Sequence, residues 1–139
     1  MCRKSNNKDQ KADADLGFNN NLRVYRYAET LLNAAELLLK TGGSGADAYV
    51  NEVRARAGLG ALSNVTENDI LNERRHEFMG EGKRYFDLVR TGKAASVLTP
   101  ANDGGGYRTK AWSEDVRYLP IPQADIDAAQ GTLQQNGSY

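Results

Sequence analysis

Glu73, Glu77 and Glu81 recur at four-residue steps, in a stretch that also holds Arg74, Arg75 and Arg84. Carboxylates at that spacing share one face of a helix, so general acid–base catalysis is the first chemistry to weigh. The flanking arginines argue against it. A glycosidase acid has to stay protonated near neutral pH, which needs surroundings that disfavour the charged form. Neighbouring guanidinium groups do the reverse. The glutamates therefore read as members of structural ion pairs, with no catalytic residue assigned.

Other reactive residue types are sparse. His76 is the single histidine and Cys2 the single cysteine, so neither a metal cluster nor an internal disulfide is expected. No serine lies in a nucleophile-elbow context, and no glycine loop has the pattern that cradles phosphate. No cofactor is implied. Gly104-Gly105-Gly106 reads as a flexible linker. Beyond it stands Trp112, the single tryptophan, between Tyr107-Arg108 and Arg117-Tyr118. Aromatic faces stack on sugar rings, because the ring C–H groups are apolar and slightly positive while the aromatic face is negative. Arg108 could add hydrogen bonds to hydroxyls. Trp112, Tyr107 and Arg108 are thus candidate carbohydrate-binding residues; the alternative is that Trp112 plugs the loop onto the helices.

Residues 72–92 hold nine charged side chains, with Phe78, Met79, Tyr85, Phe86, Leu88 and Val89 running among them. A fully solvated helix needs no such aromatic content, and a buried one could not carry those charges unpaired. Arg74, Glu77, Glu81, Arg84, Asp87 and Arg90 follow one another by steps of three and four. A continuous helix would align them as a stripe of alternating ion pairs. Gly80 and Gly82 each cost about 1 kcal/mol inside a helix relative to Ala. They imply either close backbone approach or a break before Tyr85.

The elements that must position these residues follow from periodicity. In a first helix, residues 23–40, Val24, Ala28, Leu31, Ala35 and Leu38 recur at the helical period, and Tyr27, Leu32 and Leu39 widen the stripe. Gly42-Gly43 stops it. Ser44 with Asp47 is read as the cap of a second helix, whose stripe is Ala46, Tyr49, Val50, Val53 and Ala57 and whose end is Gly58. Thr66 and Asp69 cap a third, residues 67–83. A fourth, residues 85–90, ends at Gly92. The rest is mostly loop. Pro120 and Pro122 forbid a central strand, and Pro122 can open a helical turn over residues 123–127. The expected fold is all-α: a tetratricopeptide-like helical hairpin, two further helices and an irregular C-terminal segment.

Composition sets outer bounds. With 139 residues, the chain fits one domain. Eighteen basic and eighteen acidic residues cancel, so nothing electrostatic points to nucleic acid. No apolar run is long enough to span a bilayer. No apolar core of a secretory leader follows Met1. Residues 1–21 are polar and are expected to form a flexible arm; residues 22–139 form the helical domain.

Four segments, taken in order, resemble the C-terminal part of the SusD/RagB family of outer-membrane glycan-binding lipoproteins. Arg26-Tyr27-Ala28-Glu29, continuing through Leu31-Leu32 to Ala35-Glu36, is similar to one family helix. Asn51, Val53-Arg54 and Arg56-Ala57-Gly58 are similar to a second element. Glu73-Arg74-Arg75, Glu77, Glu81-Gly82, Arg84, Phe86-Asp87-Leu88, Arg90 and Gly92 match the family signature. Leu119-Pro120-Ile121-Pro122 with Gln135-Asn136 and Tyr139 resembles the family terminus.

The resemblance implies a SusD-like helical domain, present in part. It implies non-catalytic capture of oligosaccharide or polysaccharide at the bacterial cell surface and delivery to a TonB-dependent, SusC-like outer-membrane transporter. Membrane attachment would come only through a lipid anchor on the full-length protein, this fragment itself being soluble. Family members are longer, so the chain is expected to be a C-terminal fragment supplying scaffold, with Met1 an artificial start and Cys2 an incidental thiol. Cys2 as a lipidated residue is the other possibility. A different class of function, a helical-repeat module that holds a partner protein, fits the same helices.

Overall fold

A computed structural model describes residues 24–137. The expected arm, residues 1–21, lies outside them. The described residues contain helices and no strand, so the chain is all-α as expected. The helices are α1 (Tyr27–Thr41), α2 (Ala46–Arg56), α3 (Glu67–Glu77), α4 (Arg84–Arg90), α5 (Ala94–Val97) and α6 (Gln123–Ala128). Two 3-10 turns, Pro100–Asn102 and Glu114–Val116, lie between α5 and α6. The chain forms two compact units, one ending at Glu73 and the other starting at Arg74, so the division falls within α3.

In the first unit, α1 and α2 pack on each other. A short connection, residues 42–45, makes them an antiparallel hairpin. The end of α1 is set by Gly42, at φ 70°, which no β-carbon obstructs. Gly42 donates to the Leu39 carbonyl and Gly43 to Leu38, the Schellman arrangement that satisfies the last carbonyls of a helix. The same pair of bonds closes α2 at Gly58-Leu59 and α4 at Gly92-Lys93. The core of the unit is Leu31, Leu32, Ala35, Ala46, Val50, Val53, Val65, Ile70 and Leu71, all buried. Two expectations fail here. Val24 precedes the helix and is exposed, as is Tyr27, while Glu29 and Glu36 are buried. A side chain on the core-facing stripe is not always apolar when it finds a partner, and Glu36 meets Lys40 at 3.1 Å.

The cap expected from Ser44 and Asp47 is also absent. Gly45, at φ 94°, is the residue before α2, and no side chain caps it. The carboxylate of Asp47 instead accepts the backbone N–H groups of Asn64 and Val65, at 2.8 and 2.9 Å. One turn later, Asn51 accepts from the Leu62 N–H and donates to the Leu62 carbonyl, both at 2.8 Å. Arg54 donates to the Gly60 carbonyl at 2.8 Å and to Glu73 at 2.8 Å. Asp47, Asn51 and Arg54 lie along one face of α2, and together they hold the loop that leads into α3. That loop has no secondary-structure partner, so its backbone groups are met by side chains.

The start of α3 follows the expectation. The Thr66 N–H and hydroxyl both donate to Asp69, at 2.8 and 2.6 Å, and the Asp69 N–H donates back to Thr66 at 3.3 Å. The end does not. The helix stops at Glu77 because Gly80 and Gly82 take left-handed φ of 81° and 72°. Open space surrounds both glycines, so they serve the break and not a close approach.

Two measurements follow. Asn51→Ala removes both bonds to Leu62 and is expected to cost about 1–3 kcal/mol, with faster hydrogen exchange at Leu62 than at core amides of α1. The bonds from Thr66 hold the Asp69 carboxyl below its ordinary value of 3.8. A depressed carboxyl stabilises the fold above its unfolded value and loses that contribution as pH falls through the folded one. Acid titration below about pH 4 is therefore expected to loosen the start of α3, and Asp69→Ala to remove that part of the pH dependence.

Candidate functional site

The second unit is built around Asp87. One carboxylate oxygen accepts from Arg74 Nε at 2.9 Å. The other accepts from Arg90 Nε and Nη2, at 3.1 and 2.9 Å. Arg74 and Asp87 are both 4% exposed, which places this pair out of water. The Arg74 guanidinium also sits over the Phe78 ring, 5.1 Å from its centre, so the cation is met by a carboxylate and an aromatic face. Asp87 further anchors the end of α4, because Thr91 Oγ1 donates to its carbonyl at 2.7 Å.

The six-residue charge stripe is not a single helical face. The break at Gly80 and Gly82 turns the chain, and Arg74 reaches Asp87 across the break instead of along one helix. The Asp87–Arg90 pair is as spaced in the sequence. Glu77 is buried, and Glu81 lies in the turn between α3 and α4. Burial and the like charge of Arg75 lower the pKa of Arg84, against the pull of Asp87. Glu73 belongs to the first unit and is held by Arg54. His76 is exposed. No group of three metal-binding side chains occurs among the described residues.

Beyond α4 the chain is mostly irregular, and four side chains hold it. Tyr85 donates its hydroxyl proton to the Val116 carbonyl at 2.8 Å, with the Arg117 carbonyl at 3.1 Å. Trp112 donates its indole N–H to the same hydroxyl oxygen at 3.3 Å, and its backbone N–H to the Leu98 carbonyl at 2.9 Å. Gln135 accepts from the Ile121 N–H at 2.7 Å and donates to the Ile121 carbonyl at 3.0 Å. Asn136 donates to the Leu119 carbonyl at 2.9 Å. Gln135 and Asn136 thus clamp the Leu119-Pro120-Ile121 segment much as Asn51 clamps Leu62.

The three candidate carbohydrate-binding residues are placed differently. Trp112 is half-buried with its polar edge occupied by Tyr85. Tyr107 is 90% exposed. Arg108 is exposed, and its backbone N–H is received by Asp103. Asp103 also accepts from the Gly105 N–H at 3.3 Å. The backbone N–H of Arg108, then those of Gly105 and Tyr107, hold the Asp103 carboxyl below its usual range. Sequence reading missed Asp103 and Tyr85. The first was hidden because it acts on backbone, the second because its partners lie 27 and 31 residues on.

Against this geometry, comparison with known proteins is decisive on lineage. The model of the SusD family matches residues 1–139. The chain belongs to the SusD family. Surface glycan-binding protein A from Bacteroides thetaiotaomicron is 60% identical, with a TM-score of 0.80, over 96% of this chain and 28% of that one. Its structure in complex with laminarihexaose matches at 61% identity and a TM-score of 0.79, over 94% of this chain and 28% of the other. The starch-binding protein SusD of the same organism is 34% identical over 117 residues, 82% of this chain and 21% of that protein. This SusD-family chain therefore spans under a third of the length of each relative. Two of these relatives are thus named for glycan binding and the third for starch binding. No helix among the described residues is long and apolar enough to cross a membrane.

Removing one partner from a buried ion pair leaves the other uncompensated. Arg74→Met is expected to destabilise the second unit by about 3–5 kcal/mol, read by chemical denaturation. Arg117→Met is the control. Its pair with Glu114 is exposed, and its loss should change stability by less than about 1 kcal/mol.

Proposed function

We propose that this chain is the C-terminal scaffold of a cell-surface lipoprotein that captures oligosaccharides without cleaving them and delivers them to a TonB-dependent, SusC-like outer-membrane transporter. The observation that carries the reading is the 61% identity, over 94% of this chain, to a surface glycan-binding protein whose structure is in complex with laminarihexaose. The ligand class that follows is a glucan-type oligosaccharide. Recognition would rest on shape, aromatic stacking and hydroxyl hydrogen bonds. The contribution of this chain is rigidity. Side chains of α2, α4 and the C-terminal segment hold its loops in one conformation, and a sugar site that is ordered before binding loses less entropy on binding. Trp112 serves that order by bridging Leu98 and Tyr85.

Affinity electrophoresis of the full-length protein against a panel of polysaccharides tests the reading. Retardation by a β-glucan such as laminarin, with no release of reducing ends, is the expected result. Release of reducing ends would refute non-catalytic capture. Silence across the panel together with co-purification of a transporter would replace the reading with that of a protein-holding helical module.

A further inference from the structure

We infer that Tyr107 is a sugar-stacking platform, held ready by Asp103 and Gly105; the inference rests on the glycan-binding reading above. Single exposed apolar side chains are common on protein surfaces and need no explanation. Tyr107 differs in how it is held. Asp103 closes the loop beneath it, because its carboxylate receives the N–H groups of Gly105 and Arg108 and its carbonyl receives that of Gly106. Residues 103–108 thus form one hydrogen-bonded loop, with Tyr107 projecting from it.

Gly105 decides where the ring goes. A β-carbon at this position would lie 2.5 Å from Tyr107 Cε2 and 2.6 Å from Cδ2. The Cδ2–Cε2 edge of the ring therefore lies in the space that a β-carbon at position 105 would fill. At 90% exposure the faces of the ring are open to solvent. An open aromatic face on an ordered loop suits the apolar C–H face of a pyranose ring. Arg108, exposed beside it, supplies N–H donors for ring hydroxyls. Trp112 is the less suitable platform, since it is half-buried and its indole N–H is engaged by Tyr85.

Isothermal titration of the full-length protein with laminarihexaose separates the outcomes. Tyr107→Ala is expected to weaken binding by about three- to ten-fold, the scale of one aromatic contact. Tyr107→Phe keeps the ring and should stay within about two-fold of wild type on the same scale. Gly105→Ala displaces the ring and should weaken binding in the direction of Tyr107→Ala, with an unchanged unfolding midpoint for all three variants. Wild-type binding that survives Tyr107→Ala intact overturns the platform and leaves the glycan-capture reading standing. Absence of laminarihexaose binding by the wild-type protein overturns both.

Discussion

Backbone that runs outside helices still carries a donor and an acceptor at nearly every residue, and this chain has no sheet among its described residues to receive them. Much of the architecture answers that constraint. Long irregular stretches follow α2 and α5, and each is tied down by side chains anchored elsewhere in its own unit. Asp47, Asn51 and Arg54 hold the loop before α3. Tyr85, Gln135 and Asn136 hold the segment after the Glu114–Val116 turn. The carboxamides of Asn51 and Gln135 do this in the same way, each bonding both the N–H and the carbonyl of a single residue. A carboxamide can do so because it pairs one donor group with one acceptor in a plane, as a peptide does.

The charged residues have a related task. Glu73 and Arg74 are neighbours in α3, yet a helix separates successive side chains by about 100°. Glu73 therefore engages Arg54 within the first unit, and Arg74 engages Asp87 within the second. An ionised pair this deeply buried is held by close, well-formed contacts, because a lone charge there is costly. Glu73 and Asp87 are thus each committed to a guanidinium group inside their own unit.

The signature stretches were legible as patterns before their purpose was. Arg74, Glu77, Glu81, Arg84, Asp87 and Arg90 read as an ion-pair stripe. The structure keeps the Asp87–Arg90 contact and joins Arg74 to Asp87 across a turn. The Asn51 to Gly58 element looked like a helix with a narrow apolar stripe. Val53 does face the core, but Asn51 and Arg54 earn their positions through loop backbone. Tyr107 was legible as a candidate carbohydrate-binding residue, but the loop that carries it was not, because the Asp103 carboxylate that orders it acts on N–H groups that every residue type shares.

Signals that act over three or four residues were enough to set local structure from the sequence. The Thr66–Asp69 cap, the stops at Gly58 and Gly92 and the turn opened by Pro122 all depend on bonds within one helical turn. The apolar period of α1 likewise announced a helix, and the all-α class with it. What tertiary structure alone decided was the partner of each polar side chain. Leu62 lies 11 residues from Asn51, Asp87 13 from Arg74 and Val116 31 from Tyr85. Contacts at such separations depend on how the whole chain closes on itself, and no periodicity in the residues between them records the distance.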